Sequence, residues 1–261
     1  MTAQTAPKTS SRPTTADDSE VARFQAIADE WWDAKGKFRP LHRINPVRIA
    51  YIRDRVTAHF GLDAGKTEPL SGLTLLDIGC GGGLLAEPMT RLGAKVTGID
   101  AGERNVAVAK LHADQMGLNV DYRHVLPEDM AEDGAGLGQT YDVVLNMEVV
   151  EHVADLDAFL AASAGLVRPG GCMIVTTLNR TLKSLALAKI GAEYILRWLP
   201  VGTHDWRKFV RPSELAEGLA AHGVRLADLE GMVFNPLSDT WRLDAKDLAV
   251  NYLAFCVKDA G

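Results

Sequence analysis

The stretch YDVVLNMEVVEHV, Tyr141 to Val153, begins as a buried strand would and then places Glu148, Glu151 and His152 within five residues. On a helix the spacing i, i+3, i+4 puts all three side chains on one face. Two carboxylates so placed repel by about 0.2–0.5 kcal/mol when exposed, and by more where burial lowers the dielectric, so something must offset them. One answer is a helix N-terminus, whose unpaired N–H groups favour each carboxylate by roughly 0.3–1 kcal/mol. The other is a divalent cation. Two carboxylates suit Mg²⁺, and an added imidazole admits a softer ion such as Zn²⁺, with Mn²⁺ between them. With no cation, His152 is the candidate general base, because an imidazole by nature titrates near neutral pH.

Those residues need elements to hold them. From residue 70 short β-branched runs alternate with helical segments: TLLDIG (74–79), a helix near 84–92, KVTGID (95–100), a helix near 103–117, VDYRHV (120–125), YDVVLNM (141–147), a helix near 155–167 and CMIVTTL (172–178). Apolar strands alternating with helices predict an α/β fold with a mostly parallel sheet covered on both faces. Two later runs, GMVFN (231–235) and NYLAFCVK (251–258), have no helix-length segment between them and are expected to close the sheet as an antiparallel pair.

LLDIGCGGGLLAEPM reads as strand, glycine turn and helix start, which lets backbone N–H groups approach a ligand closely. A dinucleotide fingerprint counted from Gly79 needs a third glycine at 84, where Leu84 stands, and this disfavours a nicotinamide-dependent dehydrogenase. The glycines are instead Gly79, Gly81 and Gly83, with Asp77 two residues earlier, and this spacing resembles motif I of class I S-adenosylmethionine-dependent methyltransferases. Asp100 ends the next strand, where a carboxylate can accept both ribose hydroxyls of an adenosyl group. LVRPGG (166–171) is a helix stop and turn in the place where that class enters its fifth strand, and Met147 lies at the end of the fourth. Met147 is either core filler or a contact for the cofactor.

The chain has 261 residues, 47% apolar and 24% charged, enough for one large core with embellishments. Its net charge of −6 gives no general attraction for nucleic acid, and no run reaches the length of a membrane span. Cys80, Cys172 and Cys256 lie far apart and are odd in number, which fits a reducing cytoplasm. Residues 1–20 hold eight Ser or Thr and no aromatic, and are expected to form a disordered tail ahead of a single domain over 21–261.

ADEWWDAKGKFRPLHRINPVRIAYI (28–52), LLDIGCGGGLLAEPM, MEVVEHV, TTLNRTLKS, GAEYIL, GTHDWRKF and VNYL together resemble the ubiquinone-biosynthesis O-methyltransferases of bacteria and mitochondria, over roughly residues 21–258. The resemblance implies a class I (Rossmann-like) methyltransferase fold and O-methylation of a polyprenylated catechol or hydroxyquinol at two steps of ubiquinone synthesis. It places cofactor contacts at Arg48, Gly79, Asp100 and Met147, to which the glycine loop adds Asp77 and Gly81. A guanidinium at Arg48 suits the cofactor's methionyl carboxylate. The implied chemistry also weights the opening question. A phenol of pKa near 10 is about three units from ionised at pH 7, a cost of roughly 4 kcal/mol. A cation held by Glu148, Glu151 and His152 would lower that cost, so the metal reading is preferred, with Mg²⁺ first.

Residues 180–211 carry seven Lys or Arg against Glu193 and Asp205, a net +5, and Leu187, Ile190, Tyr194, Ile195 and Trp198 recur at helical spacing. A basic amphipathic segment with Trp fits either an anionic membrane surface, where a polyprenyl substrate dissolves, or a lid over the site. The expected location is therefore cytoplasmic, with peripheral contact at the inner face of the cell membrane. Two rival functions stay open at this point: methylation of another small phenol, and a non-catalytic cofactor-binding scaffold in a ubiquinone-biosynthesis complex.

Overall fold

The structure, a computed structural model, describes residues 14–132, 139–186, 205–235, 238 and 240–260. Helix α1 (Asp18–Gln25) and the long α2 (Arg39–Phe60) precede β1 (Thr74–Ile78), α3 (Ala86–Arg91), β2 (Lys95–Asp100), α4 (Glu103–Gln115), β3 (Asp121–His124), α5 (Pro127–Glu132), β4 (Tyr141–Met147), α6 (Leu156–Gly165) and β5 (Val167–Leu178). The short α7 (Leu182–Ser184), α8 (Pro212–Ala220) and three strands, β6 (Val224–Asn235), β7 (Thr240–Asp244) and β8 (Asn251–Lys258), follow.

These strands form one sheet in the order β3-β2-β1-β4-β5-β8-β6-β7. The first five are parallel and the last three antiparallel to their neighbours. The expected mostly parallel sheet is present, and its antiparallel part is larger than the expected pair. β8 inserts between β5 and β6, and β7, whose TWRLD sequence alternates without a strong apolar face, extends β6 as a hairpin at the edge.

Alternation along the strands builds a core on each face. Leu75, Val143, Leu145, Ile174 and Phe255 pack with Ile44, Tyr51, Ile52 and Val56 of α2. Leu76, Val144, Met173, Val175 and Tyr252 face the other way, onto Phe159 and Leu160 of α6 and Leu215 and Leu219 of α8.

Two expectations are corrected here. The segment from Glu148 to Ala154 is a series of turns, not a helix, and Glu148 has φ +61°. The spacing i, i+3, i+4 therefore does not put Glu148, Glu151 and His152 on one helical face. The disordered tail does not extend to residue 20 either. Thr15 is buried, its N–H and hydroxyl donate to the Glu128 carboxylate, and its carbonyl accepts from the Ala154 N–H at 2.8 Å. Asp17 caps α1 and pairs with Lys208. Anchors at both ends of the segment supply the partners that its composition lacks. Residues 1–13 lie outside the described residues.

Candidate functional site

A cavity of about 970 Å³ runs along the C-terminal edge of the sheet, the usual ligand position in open α/β folds. Its walls include Arg48, Gly79, Gly81, Asp100, Met147, Glu148 and His152, so seven of the expected site residues come together there.

The loop after β1 turns through positive φ at Gly79 (+69°) and Gly81 (+53°). A side chain at either would collide with a neighbour. A Cβ on Gly79 would stand 2.5 Å from Val149, and one on Gly81 would stand 2.5 Å from the Trp31 ring. Glycine is thus needed both for the conformation and for the close approach. Asp77 behaves differently from expectation: it does not line the cavity. It is buried beneath the loop and accepts from the Ala86 N–H. Burial, with the nearby Asp100 carboxylate, pushes its pKa from 3.8 up to about 7.

Asp100 is held from three sides. Its Oδ2 accepts from the Gly81 N–H at 2.9 Å, while Oδ1 accepts from the Gly102 N–H at 2.7 Å and from Asn105 Nδ2 at 3.0 Å. Burial still raises its pKa despite those bonds. Asn105 is oriented in turn by the Trp31 indole N–H, 3.0 Å from its Oδ1, and Trp31 stacks on Phe38 at 3.7 Å. Sequence reasoning gave no role to Trp31 or Asn105. WW in the 28–52 segment was visible, but its place over a glycine loop some fifty residues on was not.

On the other side of Gly79, three side chains leave the turn after β4, Glu148 and Glu151 next to each other and His152 turned toward α1. Glu148 pairs with the buried Arg48 at 2.5 Å, and Arg48 Nε has no hydrogen-bond partner among the described residues. Glu151, only 3% exposed, accepts from the Thr177 hydroxyl at 2.9 Å, and its Oε1 is without a partner among the described residues. Burial first, then the neighbouring Glu148 carboxylate, pushes Glu151 well above the usual carboxylate range. His152 Nδ1 lies 3.1 Å from Glu20 of α1, and Phe24 meets its ring edge-on.

Among the described residues no three His, Cys, Asp or Glu are gathered to hold a metal. The expected trio is therefore not assembled as drawn, because His152 is turned toward Glu20. The donor chemistry of the remaining pair does suit a cation: two adjacent carboxylates, one buried with an unpartnered oxygen. For the adenosyl cofactor the fit is fuller, with a glycine cradle, a braced acceptor carboxylate at Asp100 and a buried guanidinium at Arg48.

The expected basic segment at 180–211 falls partly outside the described residues, which omit 187–204. Its two ends are pinned together: Trp206 Nε1 donates to the Thr181 carbonyl at 2.9 Å, Arg180 pairs with Glu214, and Lys183 pairs with Asp247 at 2.7 Å. No helix among the described residues is long and apolar enough to cross a membrane.

Comparison with known proteins agrees with this geometry. A family described as a methyltransferase domain matches residues 48–229. Among solved structures, magnesium protoporphyrin IX methyltransferase from Synechocystis with bound SAH superposes with a TM-score of 0.57 at 20% identity, over 90% of this chain and all of that one. An S-adenosylmethionine-dependent methyltransferase from Clostridium acetobutylicum gives 0.58 at 10% identity, over 91% and 98%. These share the fold. Much closer in sequence are the ubiquinone biosynthesis O-methyltransferases of Sinorhizobium medicae, 59% identical over 92% of this chain and 95% of that one, and of Paramagnetospirillum magneticum, 57% identical over 94% and 96%. With its cofactor cradle, its sheet order and this likeness along nearly the whole length, the chain belongs to the ubiquinone biosynthesis O-methyltransferase family.

Proposed function

We propose that this protein transfers a methyl group from S-adenosylmethionine to a phenolic oxygen of a polyprenylated catechol, and of the corresponding demethylated quinol. The observation that supports the reading is one cavity lined by Gly79, Gly81, Asp100, Glu148 and His152, with Glu151 buried next to Glu148. Its volume is at the upper end of the ~300–1,000 Å³ usual for ligand sites, which favours two reactants over one.

Bound S-adenosylmethionine supplies an electrophilic methyl on a sulfonium sulfur. Asp100 would accept the ribose hydroxyls, and Arg48, released from or shared with Glu148, would take the methionyl carboxylate. Met147, which lines the cavity beside the glycine loop, would pack against the cofactor. His152 accepts the phenol proton at Nε2, in the tautomer whose Nδ1–H donates to Glu20. Trp31, Phe24 and Phe38 cover the cavity and exclude water. Asp77 braces the loop from below through the Ala86 N–H.

The second element of the reading is a divalent cation, Mg²⁺ by its oxygen donors, that Glu148 and Glu151 would hold; were His152 to leave Glu20 and join them, it would be a ligand in place of the base. Such an ion would stabilise a phenolate. The net +5 of residues 180–211 supports a peripheral contact with anionic lipid, which is where a polyprenylated acceptor would be met.

Incubation with S-adenosylmethionine and an isoprenoid catechol should release S-adenosylhomocysteine in proportion to acceptor. No release above the acceptor-free control would overturn the reading.

A further inference from the structure

A buried polar atom without a partner is costly, and a native fold keeps one mainly where something else completes it. Among the described residues, two such atoms belong to side chains that line the cavity: Arg48 Nε and Asn251 Oδ1. Arg48 already has an expected partner in the cofactor. Asn251 has none, although it stands in the VNYL motif and is only 7% exposed. Asn179, whose N–H donates to the Val250 carbonyl, shows the contrast: its Nδ2 is spent on the Leu248 carbonyl at 2.8 Å.

The fold places the Asn251 amide beside the transfer site. Asn251 opens β8 and is paired with Leu178 at the C-terminal end of β5, the neighbour of β4. Side chains alternate along a strand, and Leu253 and Phe255 pack on the α2 face of the sheet, so Asn251 points to that face too. Met147 of β4 belongs to the same face, and Arg48 of α2 holds Glu148. Two strand spacings, roughly 10 Å on a flat sheet, separate β4 from β8. Leu178 of β5 lines the cavity between them. That gap suits one aromatic ring, with a reacting oxygen near Glu148 and His152 and a second oxygen near Asn251. The other polar groups on this wall are occupied or remote. Lys183 Nζ and Asp247 Oδ2 pair with each other at 2.7 Å, and the Trp241 indole lies on β7, two strands beyond β8.

The partner that Asn251 Oδ1 lacks is a donor, and a phenolic O–H is one. A catechol carries two adjacent hydroxyls, of which only one receives the methyl group. We infer that Asn251 binds the other, turning the ring so that a single oxygen faces the sulfonium, and so selects a catechol over a monophenol. This rests on the methyl-transfer reading above. Asn251 takes no part in the proton transfer; it recognises and orients the acceptor.

The test measures acceptor affinity by calorimetry with S-adenosylhomocysteine bound, for a catechol carrying a short isoprenoid chain and for the monophenol with the same chain. Wild type should bind the catechol at least about tenfold more tightly. Asn251→Leu keeps the size but loses the amide, and should bring the two acceptors within about twofold by weakening the catechol alone. Asn251→Asp retains an accepting oxygen and should keep more of the preference, so the test stands even if the leucine variant melts early. Cofactor affinity should be unaltered in both variants. No preference in wild type, an undiminished preference in folded Asn251→Leu, or an equal loss on both acceptors would overturn the role of Asn251. Wild type that releases no S-adenosylhomocysteine from S-adenosylmethionine and the catechol would instead sink the methyl-transfer reading, and the assignment with it.

Discussion

Arg48 of α2 and Glu148 of the turn after β4 meet at 2.5 Å across 100 positions of sequence, and the guanidinium is almost wholly buried. The contact joins the two halves of the site, since Arg48 is the cation expected for the cofactor and Glu148 one of the two carboxylates expected for the metal. Glu148 is also the one non-glycine residue with positive φ among the described residues, held there by bonds from its N–H to the Thr176 carbonyl and hydroxyl. A strained backbone that persists at the rim of a cavity is usually kept for what its side chain does there.

Removing one partner of such a pair leaves the other charge uncompensated. Arg48→Ala is expected to cost about 3–5 kcal/mol of stability and to weaken S-adenosylmethionine binding. The double variant Arg48→Ala/Glu148→Gln should regain much of the stability but none of the cofactor affinity. Denaturant unfolding and calorimetry separate the two effects. Recovery of affinity in the double variant would show that Arg48 serves only to neutralise Glu148.

Asn105 is expected to act on cofactor binding through Asp100. Asn105→Ala removes a charge-assisted bond and frees the Trp31 indole, and should weaken S-adenosylmethionine binding by about 1.5–3 kcal/mol, roughly ten- to a hundredfold in Kd. Trp31→Phe keeps the stack on Phe38 while losing the N–H, and should give a smaller effect in the same direction. Unchanged Kd in a folded Asn105→Ala variant would remove Asn105 from the site.

Asp77 gives a pH signature. Its pKa of about 7 in the folded protein, against 3.8 ordinarily, means that the native state holds the proton more tightly than the unfolded chain. The stabilising contribution is complete below the unfolded pKa and is lost as pH rises through the folded one, at up to about 1.4 kcal/mol per unit. The cofactor-free wild type should therefore lose melting temperature from pH 5 to pH 8 more steeply than Asp77→Asn. Parallel profiles would contradict the assignment.

For the carboxylate pair, Mg²⁺ added to chelated protein should raise the melting temperature of wild type but not of Glu151→Gln, independently of turnover. A rise that survives in Glu151→Gln would place the ion elsewhere.

Much of this architecture was readable from period and punctuation. The parallel strands and the glycine turn are local patterns, and Asp100 follows from its place at the end of a strand, so each was named from its own neighbourhood. What escaped depends on contacts distant in sequence. The turn conformation of 148–154 escaped because Val149, Val150 and Val153 are equally at home in a helix, while the bonds of the Glu148 N–H to Thr176 and of the Thr177 hydroxyl to Glu151 tie the segment to β5. Thr15 could not be read as ordered because its partners are Glu128 and Ala154. Asp77 was assigned to the cofactor by its position in the motif, whereas its burial beneath the loop depends on how the chain folds over it.

The destination of the methyl group decides the function most directly. S-adenosylmethionine labelled with ¹³C in its methyl group, incubated with the purified protein and an isoprenoid catechol, should give a product with one methoxy ¹³C resonance, and the signal should fall sharply in Asp100→Ala and His152→Ala. A label found on ring carbon, or an undiminished methoxy signal in both variants, would contradict it.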